Sequence, residues 1–251
     1  MGQVTSCKCG AKTLCSSSEI IITTKLEDSP NLSVYEEIVS KFTKEVLATG
    51  VSYQGEMNQS NERHGIGKLM WPNNSYYIGN FRHNVCSGHG FLILNPEESM
   101  EGEWRNDQLN GKGQITTKDY IYNGELHNDL PHGKGEIFYM KGGRYVGDFC
   151  GGVKQGHGKL TAEDYTYEGH FDHDMMSGYG ICAWTDGKKY EGIWAKNKLQ
   201  GNGVFCWPDG SVYEGEYEEG LKNGLGTMKR PNGVKIYNGY WFKGERYGEI
   251  L

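Results

Sequence analysis

No stretch of this chain is apolar enough to span a bilayer. Its apolar runs last only a few residues, as at Ile20-Ile21-Ile22, against the roughly 20 that a membrane helix needs. The N-terminus also lacks the apolar core of a secretory signal. A basic surplus is missing, since 26 Lys+Arg stand against 32 Asp+Glu. Like charges never cluster into long runs, so nucleic acid is not an expected partner. Proline is scarce, at 6, and glycine follows no three-residue period, which excludes collagen. Catalytic signatures are absent as well. No G-x-x-x-x-G-K-[ST], H-E-x-x-H or G-x-S-x-G occurs, and no Gly-x-Gly continues as G-x-G-x-x-G. Neither an enzyme nor a bound cofactor is expected. Cysteine is present in odd number, 7, with no secretory context. Free thiols are therefore expected rather than a disulfide framework.

What the chain has instead is glycine, 38 of 251 residues, together with 17 tyrosines. The glycines are not spread evenly. Only Gly2, Gly10 and Gly50 precede residue 53, which places a boundary near Gly50. Beyond it a Tyr-x-Gly-x-aromatic pattern starts at Tyr53, Tyr77, Met100, Tyr122, Tyr145, Tyr167, Tyr190, Tyr213 and Tyr237. A Gly-x-Gly follows each of the first eight starts at nearly constant distance, from Gly65/Gly67 to Gly224/Gly226. A fixed period in this range means a repeat architecture.

Each unit reads as a β-hairpin. In the seventh, Tyr190, Gly192 and Trp194 alternate with Glu191 and Ile193, so rings and glycine share one face. In the second strand Gly201, Gly203, Phe205 and Trp207 share a face in the same way. Pro208-Asp209-Gly210 then forms the turn to the next unit. A glycine between aromatic positions leaves a hole that a ring can cover. A lone hairpin is marginal, so the units must stack and complete one another's core.

These units resemble MORN repeats, whose pattern runs approximately Tyr-Glu-Gly-x-Trp, a short loop, Gly-x-Gly, an aromatic and a Pro-Asp-Gly-type turn. The stretch from Tyr190-Glu191-Gly192 to Trp207-Pro208-Asp209-Gly210 nearly repeats it. Departures are local. Met100 replaces a first tyrosine, Met57 and Leu126 replace aromatics, and Asn95-Pro96-Glu97-Glu98 stands where an Asp-Gly turn belongs. The expected fold is all-β, an elongated single-layer ribbon of eight stacked hairpins plus a truncated ninth, with a short N-terminal helix. The resemblance implies a non-enzymatic scaffold or adaptor at a cell cortex, cilium or junction, with membrane recognition in the family name. It also implies homodimers in some members, here through the truncated C-terminal repeat at 237–251.

The first fifty residues carry a different signal. Met1-Gly2-Gln3-Val4-Thr5-Ser6 fits the M-G-x-x-x-[ST] myristoylation pattern. Cys7 and Cys9 sit where palmitoylation would add the second chain that stable anchoring requires. Lys8 and Lys12 give this terminus a weak electrostatic attraction to an anionic leaflet. Residues 1–32 are thus expected to be an acylated, flexible tether. Residues 33–50 follow as an amphipathic helical segment and 51–251 as the repeat array. The helix is read over 34–47. Val34, Ile38 and Phe42 form its stripe, joined by Tyr35, Val39 and Val46, behind a Ser33-x-x-Glu36 capping box. It could cap the first edge of the array, or occupy the aromatic groove or a partner.

Two candidate sites follow. Gly2, Cys7 and Cys9 would take lipid, holding the chain on the cytoplasmic face of a membrane, the plasma membrane or cell cortex, with a cilium or flagellum as the alternative. Tyr145, Phe149, Tyr167, Phe171, Tyr190, Trp194, Tyr213 and Tyr217 would line a groove for a protein partner, helical in form, although the same rings must also supply the core. The alternative function is phospholipid or phosphoinositide binding by the repeats, against which stands their excess of acidic over basic residues. The densest ligand-type cluster, His170, Asp172, His173 and Asp174, reads as a solvated loop, and no metal is expected.

Overall fold

The computed structural model describes residues 31–47 and 49–250. Among these residues one helix, α1 (Leu32–Val39), precedes nineteen strands. These are β1 (Glu45–Val46), β2 (Ser52–Met57), β3 (Arg63–Met70), β4 (Tyr76–Arg82), β5 (Val85–Asn95), β6 (Glu98–Arg105), β7 (Gln108–Thr116), β8 (Tyr120–His127), β9 (Leu130–Tyr139) and β10 (Arg144–Cys150). They continue as β11 (Val153–Thr161), β12 (Tyr165–Asp172), β13 (Met175–Trp184), β14 (Lys189–Ala195), β15 (Lys198–Cys206), β16 (Val212–Glu218), β17 (Leu221–Lys229), β18 (Lys235–Phe242) and β19 (Glu245–Glu249). Each strand pairs antiparallel with the next, so the repeats form one open sheet, as the alternation of rings and glycines requires.

The register shows why glycine recurs. In the seventh unit Tyr190 lies opposite Phe205 and Gly192 opposite Gly203, all on one face. The Tyr190 ring lies flat across both glycines, and a Cβ on Gly203 would overlap the ring and its hydroxyl. Between Gly192 and Ile193 the pairing slips, leaving Gly201 in a bulge at φ +59°. The two glycines of Gly-x-Gly therefore do different work. The first supplies a left-handed backbone, and the second is the floor beneath a ring.

The core is a row of rings rather than a layer between two sheets. Tyr190 meets Trp194 of its own unit and Tyr217 of the next, edge to face, at 5.2 and 5.4 Å. The same relation runs unbroken from Tyr122 to Tyr237. Each such contact adds about 0.5–1.5 kcal/mol beyond burial. The row lapses where Met100 and Leu126 interrupt the pattern. There Leu109, Ile115 and Leu126 fill the space.

Both rims tie one unit to the next. On one, two-residue turns such as Asn106-Asp107 and Asn128-Asp129 take positive φ at both positions, as the twist of a hairpin favours. Their second residue bonds back to the preceding unit, as Asp129 does to Leu109. On the other rim, Pro208 and Pro231 pack against Gly187 and Gly210 of the turns before them.

The helix departs from expectation in three ways. It ends at Val39 rather than reaching 47, because the chain must turn to lay β1 along β2. Asn31, not Ser33, is the N-cap, and its side chain accepts the Val34 amide at 3.2 Å. Nor does α1 cover the edge of the array, where β1 takes that place. It lies across the face opposite the tyrosines, burying Tyr35 and Val39 against Ile78 and Phe91.

Candidate partner-binding face

The tyrosine face is assembled from alternate residues of every strand, so its chemistry repeats with the units. The eight rings expected to line a groove all lie on it, side by side. They are its core, however. Tyr145, Tyr167, Tyr190 and Tyr213 are 0% exposed, and Phe149, Phe171, Trp194 and Tyr217 no more than 5%. A partner cannot touch them without displacing their neighbours, so as a contact surface that set requires correction. Each of the four tyrosines donates its hydroxyl to the carbonyl three residues on, as Tyr190 does to Ile193 at 3.0 Å. Burial holds these hydroxyls well above the ordinary phenol range, Tyr213 at about 12, which keeps them neutral donors.

The reachable part of the face is a second row beside the first. Tyr120, Tyr139, Tyr165, Trp184, Phe205 and Trp207 pack against the core and remain half-buried. Trp184 and Phe205 stand 5.7 Å apart, and Phe205 and Trp207 4.6 Å. A signal for this row is present in the sequence, since Phe205 and Trp207 share a face with the floor glycine Gly203. Which of the two rows would stay open depends on the flat lie of the core tyrosines, which no pattern announces. Cations also point onto this face. Arg63 lies over Phe81, Lys154 over Tyr145, Lys222 over Tyr213 and Arg246 over Tyr237.

The opposite face is different in kind. Beyond α1 it carries a shallow hollow lined by Lys134, Glu136, Arg144, Lys159 and Glu168, around Val146. Its charges pair across strands, as Lys134 with Asp148 and Lys159 with Glu168. Of the histidine–aspartate cluster, Asp174 serves a structural end by accepting the Lys154 amide at 3.0 Å. The thiols of Cys86 and Cys182 are raised by burial, Cys182 to about 12, so neither is a ready nucleophile. Among the described residues no helix is long and apolar enough to cross a membrane. Gly2, Cys7 and Cys9 lie outside the described residues.

The MORN repeat family model matches eight successive segments: 53–76, 77–95, 101–120, 122–144, 145–166, 167–189, 190–212 and 213–235. The chain belongs to the MORN-repeat family. The matched segments follow the hairpin units of the sheet, and they include the third and fourth, whose aromatics are replaced. Among curated proteins, alsin of Rattus norvegicus is 31% identical over 77 residues, which are 29% of this chain and 5% of alsin. This MORN array therefore matches only a small part of alsin's length. Two solved structures align loosely. A point mutant of the TCP10 domain of Danio rerio CPAP covers 79% of this chain and 99% of its own, at 12% identity and a TM-score of 0.38. The TCP domain of Drosophila melanogaster SAS-4, in complex with a proline-rich motif of Ana2, covers 84% and 94%, at 11% identity and a TM-score of 0.30.

Proposed function

We propose that this MORN protein is a non-enzymatic, membrane-anchored scaffold. Acyl chains on Gly2 and on Cys7 or Cys9 hold it to the cytoplasmic face of a membrane, and the repeats carry a protein partner on the tyrosine face. The observation behind the partner reading is the half-buried row formed by Tyr120, Tyr139, Tyr165, Trp184, Phe205 and Trp207. Aromatic area that stays partly open on a rigid support is the usual anchor of a protein interface. A helical partner could lay one apolar stripe along the row. The anchor reading rests on the terminal Met-Gly pattern and its neighbouring cysteines.

The test is localisation of the full chain beside Gly2→Ala and the double variant Cys7→Ser, Cys9→Ser. Release of both variants from membranes supports the anchor. Full retention of Gly2→Ala overturns it and favours direct lipid binding by the repeats. For the partner face, proteins captured by the wild-type chain are compared with those captured by Trp184→Ser, Phe205→Ser. Capture unaffected by that pair overturns the docking row.

A further inference from the structure

Lys154 and Lys222 occupy the same place in their units, two residues before the first glycine of Gly156/Gly158 and Gly224/Gly226. Each extends over rings of the tyrosine face. The Lys154 ammonium lies 5.6 Å from the Tyr145 ring. That of Lys222 lies 4.5 Å from Trp241, 4.8 Å from Tyr213 and 4.9 Å from Trp207. Lys154 is neutralised within the chain. Asp174, the second residue of the next turn, places its carboxylate 3.5 Å from the ammonium, and the Tyr139 hydroxyl lies at 3.2 Å.

For Lys222 the corresponding turn residue is Gly244. The backbone relation is preserved, since Gly244 donates its amide to the Lys222 carbonyl at 2.9 Å as Asp174 does to Lys154 at 3.0 Å. The carboxylate is gone. A second cation stands nearby instead, the Arg246 guanidinium, 5.9 Å from the same Trp241 ring and 4.9 Å from Tyr237. Neither cation has a carboxylate partner among the described residues. Burial and the neighbouring arginine both lower the Lys222 pKa. Two cations on one indole, in the register where Asp174 supplies Lys154 with an anion, leave the place of one carboxylate open.

We propose that Lys222 and Arg246, floored by Trp207, Tyr213 and Trp241, bind a carboxylate of an acidic, apolar peptide segment. The apolar side chains of that segment lie along Phe205 and Trp184. This deepens the docking reading above and rests on it. A peptide is favoured over an anionic lipid surface by the aromatic row that leads to the site. It is favoured also by the acidic excess of the repeats, which repels a charged bilayer but not a single carboxylate at a local cation pair.

The test uses the full chain and a synthetic peptide of leucine and glutamate patterned as an amphipathic helix, followed by tryptophan fluorescence. The leucine–lysine counterpart serves as control, with vesicles of phosphatidylcholine containing phosphatidylserine as the lipid arm. The central variant is Gly244→Asp, which restores the missing carboxylate in cis. It should fold, because nothing lies within 4 Å of a Cβ at Gly244 and Asp174 takes the same left-handed turn position. Gly244→Asp, Lys222→Met and Arg246→Gln should each weaken the acidic peptide on the order of tenfold, about 1.4 kcal/mol. Gly220→Asp adds the same charge one turn earlier, also in open space, and should leave affinity unchanged. Equal binding to wild type and Gly244→Asp overturns the site, as does equal binding of the lysine peptide. Vesicle binding with the same mutational sensitivity assigns the cations to lipid and overturns the peptide. Sensitivity to Trp184→Ser, Phe205→Ser without sensitivity to Gly244→Asp removes the carboxylate site and leaves the docking face standing. Absence of any peptide binding overturns both.

Discussion

Asp107 grips Cys86 from both sides. Its amide donates to the Cys86 carbonyl at 3.2 Å, and its carboxylate accepts the Cys86 amide at 2.7 Å. The two residues belong to adjacent units, so the bond pair is a clasp between repeats. Asn84 clasps Arg63 in this way, Asp129 clasps Leu109, Asp174 clasps Lys154 and Asn197 clasps Met176. In a stacked array stability lies largely in such interfaces between neighbours.

Removing one clasp should therefore weaken the whole ribbon. Asp129→Gly keeps the left-handed turn but leaves the Leu109 amide without its acceptor, and Leu109 is fully buried. The expected cost is about 1–3 kcal/mol. Asp129→Ala should cost about 1 kcal/mol more, since alanine is strained at the positive φ of this position. Asp129→Asn should be nearly neutral, as asparagine does this work at Asn84 and Asn197. Urea unfolding of the three variants checks the order.

The floor glycines make a sharper prediction. Gly203→Ala drives a methyl into the Tyr190 ring and hydroxyl. It should cost about 3 kcal/mol or more, because the ring is fixed by Trp194 and Tyr217 on its two sides. Gly151→Asn, in open space at a left-handed turn position, should cost less than about 0.5 kcal/mol. Thermal melts of the two variants separate a packing role for Gly203 from general intolerance of the fold.

Much of this was legible in the sequence. Tyr190, Gly192 and Trp194 share a face because a strand alternates, and eight recurrences mark the hairpin as the unit. The clasps were harder to see. Their positions recur at Asn84, Asp107, Asp129, Gly152, Asp174, Asn197, Gly220 and Gly244 at the period of the repeat, which is a usable signal. Their partners, though, lie a whole unit away, and only the pairing of strands brings them together. The end of the helix is hidden for a related reason. An apolar stripe at Val34, Ile38 and Phe42 shows that a helix can form, but β2 needs an edge partner, and Glu45–Val46 is drawn into a strand to supply it. The open row beside the core was hidden because ring orientation, not ring spacing, decides which aromatics stay exposed.

Alkaline pH should unfold the ribbon in one step. Burial raises Tyr53 and Tyr213 from 10.0 to about 12, and raises Tyr77, Tyr122, Tyr145, Tyr167 and Tyr190 as well. A phenol with a raised folded pKa lends its full stability below the unfolded value of 10.0, and loses it as pH climbs through the folded one. Stability should thus hold to about pH 10 and fall steeply toward pH 12. Ionisation also removes the donor that each hydroxyl gives to a backbone carbonyl. Phenolate absorbance and sheet circular dichroism should change together. Titration of these buried tyrosines near 10 with the sheet intact would contradict their burial.

Tyr217 offers the last prediction, a gain rather than a loss. It stands in the ring position that Trp104, Trp194 and Trp241 hold in other units. There each indole N–H donates to a glycine carbonyl of the unit before, Gly90, Gly180 and Gly226, at 2.9 to 3.2 Å. The Tyr217 ring fills the same space, edge to face with Tyr190 and Tyr213. Its hydroxyl is buried and finds no hydrogen-bond partner among the described residues. A buried group without a partner bears its desolvation cost in full. Tyr217→Phe keeps the ring contacts and deletes the orphan, so it should raise stability by about 1 kcal/mol. Tyr217→Ala, which empties the site, should cost about 3–5 kcal/mol. Chemical denaturation at neutral pH reads both. A loss on Tyr217→Phe would show that the hydroxyl is bonded in solution, and that the ring alone does not account for tyrosine at this position.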